Sequence, residues 1–235
     1  MDTVRYYDGC LEDLVFNLQD IYSLMGYDSH LPDYRITEIV DDVLTDLKDL
    51  IKLRYGYVLV KGHVCGPQQL RLGNYDFFPG QIITHAMKNA DFYAIFTATI
   101  GDDFDLYMKK IKQRRDLLYV FVTDTIGSVL AESTVSLLMS KLNEMAEMDN
   151  MKISNNYSPG YCDWLLTEQS KLFQLLPTKL IGVHLTKSSL MLPIKTVSGI
   201  VAIGNNVIKR AYGCDICKMS FCVKNKKKFN HSSLL

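Results

Sequence analysis

Residues 55–62, YGYVLVKG, decide the fold together with residues 91–101, DFYAIFTATIG. Both are rich in β-branched and aromatic residues and end at glycine, the composition of a strand that packs on a core and stops at a turn. Between them, PGQIITHAMKNA (79–90) reads as a helix with proline in its first turn. IGVHLT (181–186) reads as a further strand. Upstream, residues 36–53 place Ile36, Ile39, Val40, Val43, Leu44, Leu47 and Ile51 at helical spacing with carboxylates between them, which predicts an amphipathic helix. Helices and strands mix without a regular βαβ alternation. The expected fold is therefore α+β, with a mainly antiparallel sheet and flanking helices.

The composition sets the outer bounds. A chain of 235 residues with 48% apolar content can bury a substantial core as one large domain or two small ones. Lys plus Arg is 26 and Asp plus Glu is 26, so no net charge recruits nucleic acid or a membrane surface. The opening MDTVRYYDGCLEDL is acidic where a signal peptide is basic, and the longest uncharged apolar stretch, 196–208, is short of a membrane span. The expectation is a soluble cytoplasmic protein.

Residues 115–147 predict the longest helix. Its apolar positions Leu118, Phe121, Val122, Ile126, Val129, Leu130, Leu137, Leu138 and Leu142 are too many for a narrow seam, so it is expected at the centre. Gly127 costs the helix about 1 kcal/mol relative to alanine, and with Ser128 it leaves room for another backbone or a ligand. Glu132 falls one turn beyond Ser128 on the partly apolar side. It reads either as a carboxylate at the edge of the stripe or as a ligand acceptor.

Residues 155–169, NNYSPGYCDWLLTEQ, form the least ordinary stretch. Ser158-Pro159-Gly160 is a tight turn whose backbone a ligand can approach, and Tyr157, Tyr161 and Trp164 offer flat surfaces beside it. The other reading is a loop with its aromatic rings tucked into the core.

Together with "LT-x-S-x-x-M-x-P-x-x-T-V-S-G" at 185–199, this Ser-Pro-Gly-Tyr turn resembles the reactivation domain of cobalamin-dependent methionine synthase, and more closely the free-standing homologues of that domain. The resemblance covers about residues 120 to 205, with "ATIGDD" and "LAES" also fitting. It implies one α+β domain with a twisted antiparallel sheet that binds S-adenosylmethionine and docks on a corrinoid protein. It also implies an electron donor such as a flavodoxin, which reduces oxidised cob(II)alamin before S-adenosylmethionine remethylates it. Holding a methyl group exposed for in-line attack is chiefly a matter of orientation.

Carried over to this chain, the family's ligand contacts fall on Glu132 in the long helix and on Ser158, Pro159, Gly160, Tyr161 and the backbone through Asp163. Where the family has an arginine that grips the ligand carboxylate, this chain has Asn156. Losing such a charge-assisted contact costs about 1.5–3 kcal/mol. The family's tyrosine pair after the "VSG" segment is also missing, with Val207 and Ile208 standing there. The implied function is that of an accessory protein serving a separate cobalamin-dependent methionine synthase, because the sequence holds no Asp-x-His-x-x-Gly motif to supply a lower cobalt ligand.

The domain is expected to span residues 1–208, followed by a cysteine-containing basic tail at 209–235. Cys214, Cys217 and Cys222 form C-x2-C-x4-C, a spacing at which thiolates can wrap around zinc or an iron–sulfur cluster, with Cys162 or His231 as a fourth ligand. Three reduced surface cysteines is the other reading. A metal- or cluster-binding partner of a corrinoid methyltransferase that no longer binds S-adenosylmethionine is the alternative function. No phosphate loop, nucleophile elbow or histidine motif points to independent catalysis.

Overall fold

The computed structural model describes residues 4–28, 30–176 and 181–209. In chain order its elements are β1 (Val4–Gly9), α1 (Leu18–Leu24), α2 (Tyr34–Leu47), β2 (Leu53–Val60), β3 (Gly62–Gly66), β4 (Gln69–Leu72), β5 (Tyr75–Phe77), α3 (Gly80–Ala86), β6 (Phe92–Thr99), α4 (Asp103–Gln113), α5 (Leu117–Met148), β7 (Lys152–Ile153), α6 (Gln169–Leu175), β8 (His184–Leu185), β9 (Met191–Leu192) and β10 (Thr196–Gly204). The main sheet has five strands in the order β1-β2-β6-β10-β7, every neighbouring pair antiparallel. The α+β expectation holds.

The sheet is covered on both faces, and successive residues of its central strands feed two cores. On β6, Ala94, Phe96 and Ala98 enter the first core, while Tyr93 and Ile95 enter the second. A strand buried on both faces reads as a continuous apolar run, which is what residues 91–101 show.

The first core is roofed by α5, with α1, α2 and α4 packed on it. Asp116 caps α5 by accepting a hydrogen bond from the Tyr119 amide at 3.1 Å. By length and composition α5 could cross a membrane, but 56% of its most apolar part is buried inside the fold, as befits a central core helix. At its end the Met151 amide donates to the Ala146 carbonyl at 2.8 Å and the Asn150 amide to Glu147 at 3.0 Å. With Asn150 in the left-handed region at φ 55, this cap reverses the chain sharply into β7.

The gap expected at Gly127 exists, but side chains fill it. A Cβ there would stand 2.7 Å from Cε1 of Phe104, on α4, and 3.0 Å from Cε of Lys195. Lys195 ends on this helix, its ammonium donating to Ser128 Oγ at 2.8 Å and pairing with Asp124 at 2.8 Å.

The second core lies beneath the small sheet β3-β4-β5, helices α3 and α6, and Trp164. Here β8 and β9 make a two-residue hairpin, so the strand expected at 181–186 shortens to His184–Leu185. Its turn is closed by Thr186, whose amide donates to the Leu190 carbonyl at 2.8 Å and whose hydroxyl accepts from the Leu190 amide at 3.0 Å. The helix expected over 36–53 ends at Leu47, since Leu53 already opens β2. Cys214, Cys217, Cys222 and His231 lie outside the described residues, as does the basic tail beyond Lys209.

Candidate functional site

After β7 the chain continues along the outer edge of β10. The Ser154 amide donates to the Ala202 carbonyl at 2.9 Å, and Tyr157 and Ile200 exchange amide-to-carbonyl bonds at 3.0 and 2.8 Å. Gly199 makes this approach workable, because a Cβ there would collide with the Tyr157 carbonyl and stand 2.9 Å from Ser158 Oγ. The glycine of the "TVSG" run thus belongs structurally to the Ser-Pro-Gly turn, although more than thirty residues separate them in sequence.

The turn itself is held by its own backbone. The Tyr161 amide donates to the Ser158 carbonyl at 3.3 Å, the Gly160 amide to Trp164 at 2.8 Å, and the Trp164 amide to Tyr161 at 2.9 Å. Gly160, Cys162 and Asp163 all have positive φ, at 95, 51 and 70 degrees, so the carbonyls and amides point in unusual directions. Gly160 is exposed, and a Cβ there would meet only Leu166, at 3.8 Å. Its outer surface is open to a ligand. On the other side, a Cβ at Gly80 would stand 2.9 Å from the Cys162 carbonyl, so the start of α3 forms a close wall.

Of the aromatic rings, Tyr157 and Trp164 are buried in the second core and Tyr161 is half-buried. Trp164 meets Phe77 edge to face, ring centroids 6.2 Å apart. For these two buried rings the core reading is correct, while Gly160 and Asp163 stand at the surface.

Ser158, Pro159, Gly160, Tyr161 and Asp163 are contiguous in this turn, and Asn156, 9% exposed, lies on the extended segment leading into it. Glu132 stands on the exposed flank of α5, in the other layer. From Glu132 to Met148 the helix rises about 24 Å. After the reversal, an extended chain from Lys152 to Ser158 returns about 20 Å. The two legs of the chain, along α5 and back along the edge of β10, are thus of similar length.

Lys171 is engaged on the far side of Trp164's partner Glu168. It pairs with Glu168, donates to the Asp76 carbonyl at 2.8 Å, and lies 5.8 and 5.6 Å from the ring centroids of Phe77 and Phe78. Asp76 is in turn gripped by Arg71 through two bonds of 2.8 and 2.7 Å, and this guanidinium holds its carboxyl below the usual carboxylate range. Glu168, which sequence reasoning passes over, lies with Lys171 directly behind the glycine turn, bonded to Trp164 and to the Phe78 amide. Their signal is the short spacing of Trp164, Glu168 and Lys171, although only the latter two lie on the helical segment, which begins at Leu166. Among the described residues no group of His, Cys, Asp and Glu could hold a metal ion.

A crystal structure of the MetH reactivation domain bound to AdoHcy superposes with a TM-score of 0.64 over 89% of this chain and 81% of that one, at 16% sequence identity. That likeness establishes the shared fold. A search of curated protein sequences finds no match. The family model for the vitamin B12 dependent methionine synthase activation domain matches residues 76–214, a span that contains α5, the glycine turn and β10. With more than half of its length matched, the chain belongs to the vitamin B12 dependent methionine synthase activation domain family.

Proposed function

We propose that this protein binds S-adenosylmethionine at the edge of its sheet, between the Ser158–Asp163 turn and Glu132, and supports the reductive remethylation of a cobalamin-dependent methionine synthase supplied as a separate protein. The observation that carries the reading is the open surface over Gly160 in a turn that is rigidly backed on its other side. S-adenosylmethionine supplies an electrophilic methyl group; an external electron donor such as a flavodoxin supplies the electron for the oxidised corrinoid. The protein's own task is to orient the ligand and leave the methyl facing its partner.

The residues fit most of this ligand. The turn offers backbone donors and acceptors, Tyr161 a flat surface, and Glu132 a carboxylate for the ammonium or sulfonium. The fit is weakest at the ligand carboxylate, where Asn156 offers an amide in place of a guanidinium. Binding weaker than in members with arginine follows.

Calorimetric titration of the native protein with S-adenosylmethionine and S-adenosylhomocysteine tests this reading. Measurable heat is expected for both. No heat in the native protein or in Asn156→Arg overturns it.

A further inference from the structure

Glu168 is the only acidic side chain among the buried polar residues described, at 7% exposure. A carboxylate withdrawn from water is costly unless donors surround it. Here one oxygen accepts from the Trp164 indole N–H at 2.9 Å and from the Phe78 amide at 2.7 Å, while the other pairs with Lys171. A buried ion pair of this kind is often no more stabilising than apolar residues of the same size. What it provides is direction.

The directions are specific. Trp164 closes the glycine turn from inside through its own carbonyl and amide. Phe78 lies two residues before Gly80, the wall against which the Cys162 carbonyl packs. Gly80 accepts this contact with φ at 77 degrees. Glu168 therefore holds the inner clasp and the outer wall of the same turn at once. The next residue, Gln169, anchors the start of α6 by donating to Ser198 Oγ at 2.7 Å, so Glu168 has a fixed base.

We propose that Glu168 is the positioning residue of the ligand turn: without touching ligand, it keeps the Gly160–Asp163 backbone in its binding-competent shape. This rests on the reading that the turn binds S-adenosylmethionine. Residues that orient metal ligands typically change affinity by about ten- to a hundredfold when removed, and an effect of that order is expected for one that orients a ligand-binding backbone.

The test compares Glu168→Ala, Glu168→Gln and Tyr107→Phe with the native protein, at a temperature where each is folded. Tyr107→Phe removes the 2.8 Å bond to Asp46 in the other layer and serves as a control for stability alone. Three properties are measured: hydrogen exchange of the segment 157–164, emission of Trp164, the single tryptophan, and S-adenosylhomocysteine affinity. In Glu168→Ala, exchange is expected to quicken and emission to move to longer wavelength, with affinity falling about tenfold or more. Glu168→Gln, which can still accept from the indole and the Phe78 amide, recovers part of each change. Tyr107→Phe leaves all three unaltered. Native-level exchange in both Glu168 variants overturns the proposal, whatever the ligand does. Quickened exchange in a protein whose native form binds no ligand upholds the role of Glu168 in the turn and overturns the ligand reading instead.

Discussion

Gly199 of β10 lies face to face with the Tyr157 carbonyl, closer than any side chain would permit. This contact seats the glycine turn on the sheet. Gly199→Ala is expected to push Tyr157 and Ser158 outward, at a cost of about 1–3 kcal/mol in stability. Denaturant unfolding measures the loss. Titration with S-adenosylhomocysteine should show weakened binding as well, since the displaced segment leads directly into the turn.

At Gly127 the usual rule reverses sign. In an open helix interior, glycine to alanine stabilises by about 1 kcal/mol. Here the new methyl would collide with the Phe104 ring and stand 3.0 Å from the Lys195 stem. Gly127→Ala should therefore destabilise by about 1–3 kcal/mol. Thermal unfolding checks it, and a raised midpoint would show that Phe104 yields easily.

The contributions of the two side chains proposed at the ligand can be separated. Asn156→Arg should tighten S-adenosylmethionine binding by about ten- to a hundredfold, equivalent to a charge-assisted pair of about 1.5–3 kcal/mol. Glu132→Ala should weaken S-adenosylmethionine more than S-adenosylhomocysteine if the carboxylate faces the sulfonium, because only the former carries that charge. Glu132 is exposed on α5, so its removal should leave the unfolding midpoint nearly unchanged. Calorimetry on both ligands gives the comparison.

Alkaline pH should unfold the protein through its core tyrosines. Burial pushes the hydroxyls of Tyr57 and Tyr93 up to about 12, from an ordinary value of 10.0. Below pH 10 both folded and unfolded states keep these protons, and the contribution to stability is complete. Between about 10 and 12 the unfolded chain loses them first, so stability falls as pH rises, by about 1.4 kcal/mol per pH unit for each tyrosine. An ultraviolet titration should show late-ionising tyrosines appearing together with the loss of structure.

The elements that sequence reading finds are those whose burial is strong and local. Residues 91–101 read as a strand because both their faces are buried, and 115–147 as a helix because apolar positions surround much of its circumference. β1 escapes notice: its VRYYDG is largely exposed and draws its order from pairing with β2. β3 to β5 are short and depend likewise on one another. The glycine turn is readable as a turn, but the meaning of its aromatic rings is not. Tyr157 and Trp164 enter the core only because Gly199 and Glu168, remote or unremarkable in sequence, make places for them.

The outer edge of β10 is covered by two residues of β7, by Ser154 bonded to Ala202, and by the bridge from Tyr157 to Ile200. The strand beneath, TVSGIVAIG, is apolar and β-branched, the kind of edge on which foreign strands assemble. The segment that leads into the ligand turn is thus also the guard of that edge. Loosening it would invite self-association, and a ligand that tightens it would act as a protectant against aggregation. Under the proposed function, solubility and recognition depend on the same few residues.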